Sequence, residues 1–123
     1  MSKNQKRWRV LSDFKKGKYC FLIGVDNWSI ELNKREFESL YLSLIRINEQ
    51  LLDIKNQLMD EEFITLELEQ LPWYIELDGK KNEWNLRFVF ESQDQTRSFE
   101  MYWPIPIAQN LFFEIKKMWE SMN

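Results

Sequence analysis

Apolar and polar residues alternate in short runs along most of this chain, and in two stretches the alternation gives way to a helical period. Trp8 and Val10 point one way and Arg7 and Arg9 the other, which predicts a strand over 7–14 with a basic face. Lys15-Lys16-Gly17-Lys18 reads as a turn. In 19–25, Tyr19, Phe21, Ile23 and Val25 alternate with Cys20, Leu22 and Gly24. Both faces of that run are apolar, so it predicts a central strand. Asp26-Asn27 turns the chain, and Trp28, Ile30 and Leu32 alternate with Ser29 and Glu31 in a third strand, 28–32.

The period then changes. Asn33 can cap a helix, and Glu36 three residues later completes an approximate capping box. Phe37, Leu40, Leu44, Ile47, Leu51, Ile54 and Leu58 follow at spacings of three and four, and Tyr41 and Ile45 widen the seam. A helix over 34–58 would be roughly 37 Å long at 1.5 Å per residue. That is more than a domain of this size needs, so its far end, Ile54 and Leu58, is a candidate contact for a partner or a second copy.

Beyond the acidic run Asp60-Glu61-Glu62, strand patterns return. Ile64, Leu66 and Leu68 alternate with Thr65, Glu67 and Glu69, and Trp73, Ile75 and Leu77 with Tyr74, Glu76 and Asp78. A hairpin loop is expected at Asp78-Gly79 with Lys80-Lys81-Asn82. Trp84, Leu86, Phe88 and Phe90 then oppose Asn85, Arg87, Val89 and Glu91, and Phe99, Met101 and Trp103 complete the strands. Pro104 and Pro106 end this region, Pro106 being placed to open a last helix with Ala108, Leu111, Phe112, Ile115, Met118, Trp119 and Met122 as its buried stripe. One-sided strands need a cover, and two helices with apolar stripes supply it. The expected fold is α+β: an antiparallel sheet, or sheets, of seven to eight strands with two helices. The order suggests a degenerate tandem repeat of a four-strand-plus-helix unit, about 7–58 and 63–122, within one domain spanning 1–123.

Composition adds a charge asymmetry. Lys3, Lys6, Arg7, Arg9, Lys15, Lys16 and Lys18 stand against Asp13 alone, so residues 1–20 carry a formal charge of +6 and the rest −9. A clustered cationic strip on an acidic body can nominate a partner. At 123 residues, with 44 % hydrophobic side chains, the chain can build a core without metal or disulfides. Cys20, the single cysteine, suits a reducing cytoplasm. No apolar stretch follows Lys3 and Lys6, so neither a signal peptide nor a membrane span is expected.

Trp8-Arg9-Val10, Tyr19 to Gly24 (YCFLIG), Trp28 to Leu32 (WSIEL) with Glu36-Phe37, Leu58 to Glu67 (LMDEEFITLE) and Leu86-Arg87-Phe88 occur in an order that resembles a family of short cyanobacterial proteins of unassigned function. The match spans nearly the full length. The resemblance implies a fold grouped with the single-stranded-DNA-binding transcriptional regulators, namely the Whirly-type proteins and related coactivators, built from tandem four-strand-plus-helix units. It carries no catalytic set onto this chain, and a shared fold does not transfer function.

The chemistry is mostly exclusion. With no histidine, His-based triads, His–metal clusters and imidazole acid–base catalysis are ruled out. Cys20 lies in an apolar strand, where desolvation disfavours the thiolate, so a buried structural thiol is the reading rather than a nucleophile. Gly17, Gly24 and Gly79 lie too far apart to cradle a phosphate. Asp60-Glu61-Glu62 has no calcium-loop spacing, and a solvated turn is the better reading. A two-carboxylate hydrolase would have to draw Glu76 or Glu100 from elsewhere. No cofactor and no metal is expected, and an enzyme ranks third.

Two classes of function stand ahead of it. The first is binding of single-stranded nucleic acid, which needs cations beside stackable rings; Arg7, Trp8, Arg9, Lys15, Lys16, Lys18 and Tyr19 offer both. Lys16-Gly17-Lys18 is similar to an element of Whirly-type proteins near a strand start. The acidic strand faces, with Glu67, Glu69, Glu76, Asp78 and Glu100, oppose a phosphate backbone, and the lysines could serve only to solubilise an edge strand. The second class is a protein-interaction or self-assembly module using Ile54 and Leu58 together with Tyr74 and Tyr102. Trp73, Trp84, Phe88, Phe90 and Trp103 are assigned to the core.

Overall fold

The computed structural model describes residues 7–122. Its elements are β1 (Trp8–Ser12), a 3₁₀ turn (Phe14–Lys16), β2 (Phe21–Val25), β3 (Trp28–Leu32), α1 (Lys34–Lys55), β4 (Ile64–Gln70), β5 (Trp73–Lys80), β6 (Glu83–Glu91), β7 (Ser98–Trp103) and α2 (Ile107–Met122). The seven strands form two antiparallel sheets, β1-β2-β3 and β4-β5-β6-β7. β2 is central in the first, as its two apolar faces require. Lys3 and Lys6 of the basic segment lie outside the described residues.

Both helices lie between elements of the two sheets. α1 leans on β3, β4 and β5, α2 leans on β1 and β6, and the helices touch each other. Their stripes meet the inward faces of the strands in one buried cluster. Phe21 of β2 stacks on Phe37 of α1 with ring centroids 4.1 Å apart, and Phe37 in turn meets Trp119 of α2 at 6.2 Å. Such pairs add about 0.5–1.5 kcal/mol beyond the area they bury. From the other sheet, Trp73 reaches up to α1, where its indole N–H donates to the carbonyl of Glu36 at 3.0 Å. Trp73, Phe88, Phe90 and Trp103 are fully buried and Trp84 nearly so. Cys20 is buried as well. Among the described residues no helix is long and apolar enough to cross a membrane.

Several boundaries differ from the periodicity, and β2, for one, starts at Phe21 instead of residue 19. β1 stops at Ser12 instead of residue 14, because Asp13 caps the 3₁₀ turn by accepting from the Lys15 N–H at 3.1 Å. α1 stops at Lys55, so it measures roughly 33 Å over its 22 residues. The seam continues past that end because Leu58, after the final turn, folds back onto the core. Its carbonyl accepts from Lys81 Nζ at 3.0 Å. The β5–β6 connection is a two-residue turn at Lys81-Asn82, since Lys80 already pairs with Glu83. Gly79 is therefore a strand residue. Its φ of +142° and the close approach of the Glu83 carbonyl and Trp84 Cα, each 2.7 Å from where a Cβ would stand, explain why the position needs glycine.

Candidate functional site

The sheet that the basic segment helps to build also divides it. β1 pairs antiparallel with β2, with Trp8 opposite Val25 and Ser12 opposite Phe21. Arg7 and Arg9 therefore stand at one end of β1, and Lys15, Lys16 and Lys18 follow the other end. Five strand residues span roughly 17 Å, twice the Debye length of about 8 Å at physiological salt. The two clusters do not act as one field.

Most of the first cluster is engaged within the sheet. Arg7 donates through Nε and Nη2 to the two carboxylate oxygens of Asp26, at 2.9 and 3.0 Å. That hydrogen bond holds the Asp26 carboxyl below its usual range. Arg9 lies across its cross-strand partner Gly24 and donates to the carbonyls of Asp26 at 3.1 Å and Trp28 at 3.0 Å. A Cβ on Gly24 would fall 2.3 Å from Arg9 Nη2, so the glycine makes the groove in which the arginine lies. Trp8 and Val10 turn inward and pack against the core. In the second cluster Lys16 pairs with Glu31.

Lys18 and Tyr19 reach a different setting. A cleft of about 710 Å³ opens where the β1–β2 connection meets the first turn of α1, the β4–β5 turn and the β6–β7 loop. Lys18 and Tyr19 line one wall, and Asn33, Arg35, Glu36 and Ser39 of the helix start another. Leu71 and Pro72, with Glu91 to Gln95 and Arg97, complete it.

Arg97 organises this place. Its Nη1 donates to both oxygens of Glu36, at 3.0 and 2.8 Å, and its Nη2 donates to the Glu31 carbonyl at 2.6 Å. The guanidinium sits 4.5 Å from the ring centre of Tyr19 and 5.4 Å from that of Phe90. One side chain from the β6–β7 loop thus ties together β3, the start of α1 and the β1–β2 connection. Glu36 also completes the capping box: Asn33 Oδ1 accepts from the Glu36 N–H at 2.8 Å, and Glu36 Oε1 accepts from the Asn33 N–H at 2.9 Å.

The carboxylates around the cleft are unequal. Glu36 is neutralised by Arg97. Asp94 accepts from the Thr96 hydroxyl at 2.7 Å, the Ser92 hydroxyl at 2.8 Å and the Thr96 N–H at 3.1 Å, and these bonds hold its carboxyl down at about 2. Its lone pairs serve its own loop. Among the described residues Lys15, Lys18 and Arg35 enter no ion pair.

Sequence reasoning passed over Arg35 and Arg97. A cation in the first turn of a helix opposes the helix dipole, and that local mismatch at Arg35 was a readable signal. Arg97 offered none, since its partner Glu36 lies 61 residues away.

The acidic run 60–62 separates as consecutive side chains should. Asp60 pairs with Lys81 at 3.0 Å, Glu61 with Lys80 at 2.6 Å, and Glu62 accepts from the Met59 N–H at 3.2 Å. Among the described residues no group of three or more metal-type ligands comes together. The four interface candidates fall on two sides of the four-stranded sheet. Ile54 and Leu58 belong to the helix side, half-buried. Tyr74 and Tyr102 alternate with buried residues and so occupy the opposite face, Tyr102 at 52 % exposure.

Among curated proteins no match is found. The chain is similar to a protein with unknown function from DUF155 family from Prochlorococcus sp. NATL2A, a cyanobacterium, known from its crystal structure. The two share 36 % identity over 95 % of this chain and 97 % of that one, with a TM-score of 0.85. A family model described as Domain of unknown function (DUF1818) matches residues 3–118. With nearly its whole length matched, the chain belongs to the DUF1818 family.

Proposed function

We propose that this is a non-enzymatic binding protein that takes a short stretch of single-stranded nucleic acid at the cleft beside the first turn of α1. The observation that carries this reading is the meeting of Lys18 and Tyr19 with Arg35, from a separate element, around one cleft. Single strands are held by cations that follow the backbone and by rings on which bases stack. Lys18 and Arg35 face the cleft, and Lys15 lies one turn away on the same connection. With Glu36 neutralised and Asp94 engaged by its loop, Glu91 is the carboxylate left to oppose a phosphate.

The element order supports kinship with the tandem strand-and-helix units of Whirly-type proteins. The lack of histidine and the burial of Cys20 support the non-enzymatic reading, and the lone thiol supports a reducing, cytoplasmic setting. The footprint is small. Seven cations in one groove would give a steep salt dependence; three phosphate contacts give a slope of about −2 in log K against log salt for a single strand.

Fluorescence anisotropy with labelled single-stranded DNA and RNA, from low to physiological salt, tests this. Binding with that shallow slope is expected, together with its loss in Lys18→Glu/Arg35→Glu. Arg7→Gln should bind as the wild type does, since Arg7 is held by Asp26. Absence of binding at low salt, or equal sensitivity to Arg7→Gln and Arg35→Glu, would overturn the assignment.

A further inference from the structure

The outer face of the four-stranded sheet is uncovered, because both helices pack on its inner side. We propose that this face is a docking surface for an extended, lysine- and arginine-rich segment of a partner protein. The register places the outward residues in rows across the strands. One row runs Glu69, Tyr74, Val89, Glu100 and the next Glu67, Glu76, Arg87, Tyr102. Two tyrosines and a valine thus form an amphipathic centre, and carboxylates surround it.

Among these outward residues one cation, Arg87 opposite Glu76, offsets the carboxylates only in part. Glu67, Glu69, Glu76 and Glu100 enter no ion pair among the described residues, and Arg87 is the cation in their midst. Glu67 stands directly opposite Glu76 on the neighbouring strand. Like charges in that position weaken a sheet, a repulsion that Arg87 on the other side of Glu76 offsets in part. Burial and the carboxylates of Glu67 and Glu76 also push the Tyr74 hydroxyl above its usual range.

Charge complementarity selects the occupant. A phosphate backbone is repelled here. A second copy is a poorer match, because Arg7, Arg9 and Lys16 of its basic segment are already engaged, and its unpaired Lys15, Lys18 and Arg35 sit on a turn and a helix start, not along one extended strand. A cationic peptide fits in two ways. In extended chain, same-side residues repeat every two positions, about 6.8 Å, as the outward residues of β4 and β5 do. Lysine and arginine stems can lie on the tyrosine and valine centre while their heads reach the carboxylates.

The test uses a fluorescein-labelled peptide of alternating lysine and threonine, titrated by anisotropy at physiological salt. Saturable wild-type binding is expected. The triple variant Glu67→Gln/Glu76→Gln/Glu100→Gln should lose about tenfold or more in affinity, and Tyr102→Ala a similar amount. The control Glu38→Gln/Glu49→Gln/Asp53→Asn, on the exposed side of α1, removes the same charge and should change affinity by less than about twofold. The face variant should melt at or above the wild type, since it relieves repulsion, which separates lost binding from lost folding. Equal losses in face and control variants would show general attraction to an acidic chain and overturn the proposal. So would a wild-type dimer in sedimentation that the face variant dissolves, because the surface would then belong to a second copy.

Discussion

Replacing Arg97 by leucine probes whether one guanidinium locks the two sheets together. Its side chain is 27 % exposed and that of Glu36 10 %, so the pair is withdrawn from water without being sealed. Breaking a fully buried pair from one side costs roughly 3–5 kcal/mol, because the remaining charge is stranded. Water access at Arg97 brings the ion-pair share down to about 2 kcal/mol. Glu36 keeps one bond, from the Asn33 N–H. Loss of the two ring contacts adds about 1 kcal/mol. The expected cost is therefore about 3 kcal/mol, a large part of the roughly 5–15 kcal/mol that holds a domain folded. Urea unfolding followed by tryptophan fluorescence measures it, with an unchanged m-value showing that the unfolded state is the same. Glu36→Gln is the companion, since glutamine still serves the capping box while removing the charge. Leucine at 97 and glutamine at 36 together should show about 1.5–2 kcal/mol of coupling in the double-mutant cycle. A single-variant loss below about 1 kcal/mol, or additive behaviour in the cycle, would refute the reasoning.

Gly79→Ala should cost about 3 kcal/mol, since φ is positive there and a Cβ meets backbone that cannot move aside. Differential scanning calorimetry should show a fall in Tm of roughly 10 °C, whereas a change under about 2 °C would mean that β5 and β6 adjust freely. Asp94 has a folded value of about 2, below its unfolded one. Its contribution is therefore present above about pH 4 and lost as pH falls towards 2. Carboxyl ¹³C NMR should show Asp94 titrating near the bottom of that window, with the amides of the β6–β7 loop losing protection alongside it. A titration near 4 would show that Ser92 and Thr96 do not hold the carboxylate in solution.

The protein's local elements were legible because they rest on nearest neighbours. Strict alternation placed all seven strands, and the three-and-four spacing from Phe37 placed α1. Asn33 and Glu36 announced the capping box, whose two bonds span only three residues. The central position of β2 followed from its doubly apolar pattern. Boundaries slipped where a tertiary contact competed with period. Leu58 kept the helical spacing but packs after the helix has ended, and Gly79 read as a turn residue when its role is to let another strand's backbone approach.

The candidate sites divide in the same way. Basic charge at 7–18 and the exposed Tyr74/Tyr102 face are properties of the sequence and its alternation. Which cations remain available was decided by partners distant along the chain. Asp26 takes Arg7, the turn carbonyls and Gly24 take Arg9, and Glu31 takes Lys16. Arg35 meets Lys18 and Tyr19 only because the first turn of α1 and the β1–β2 connection close around one cleft. The sequence by itself determined the α+β elements, the charge asymmetry and the lack of histidine chemistry, since each depends on residue type and local spacing. The tertiary structure alone decided the split of the basic strip and the bridging of both sheets by Arg97, because pairings 15 (Lys16 to Glu31) to 66 residues apart (Arg97 to Glu31) leave no periodic trace.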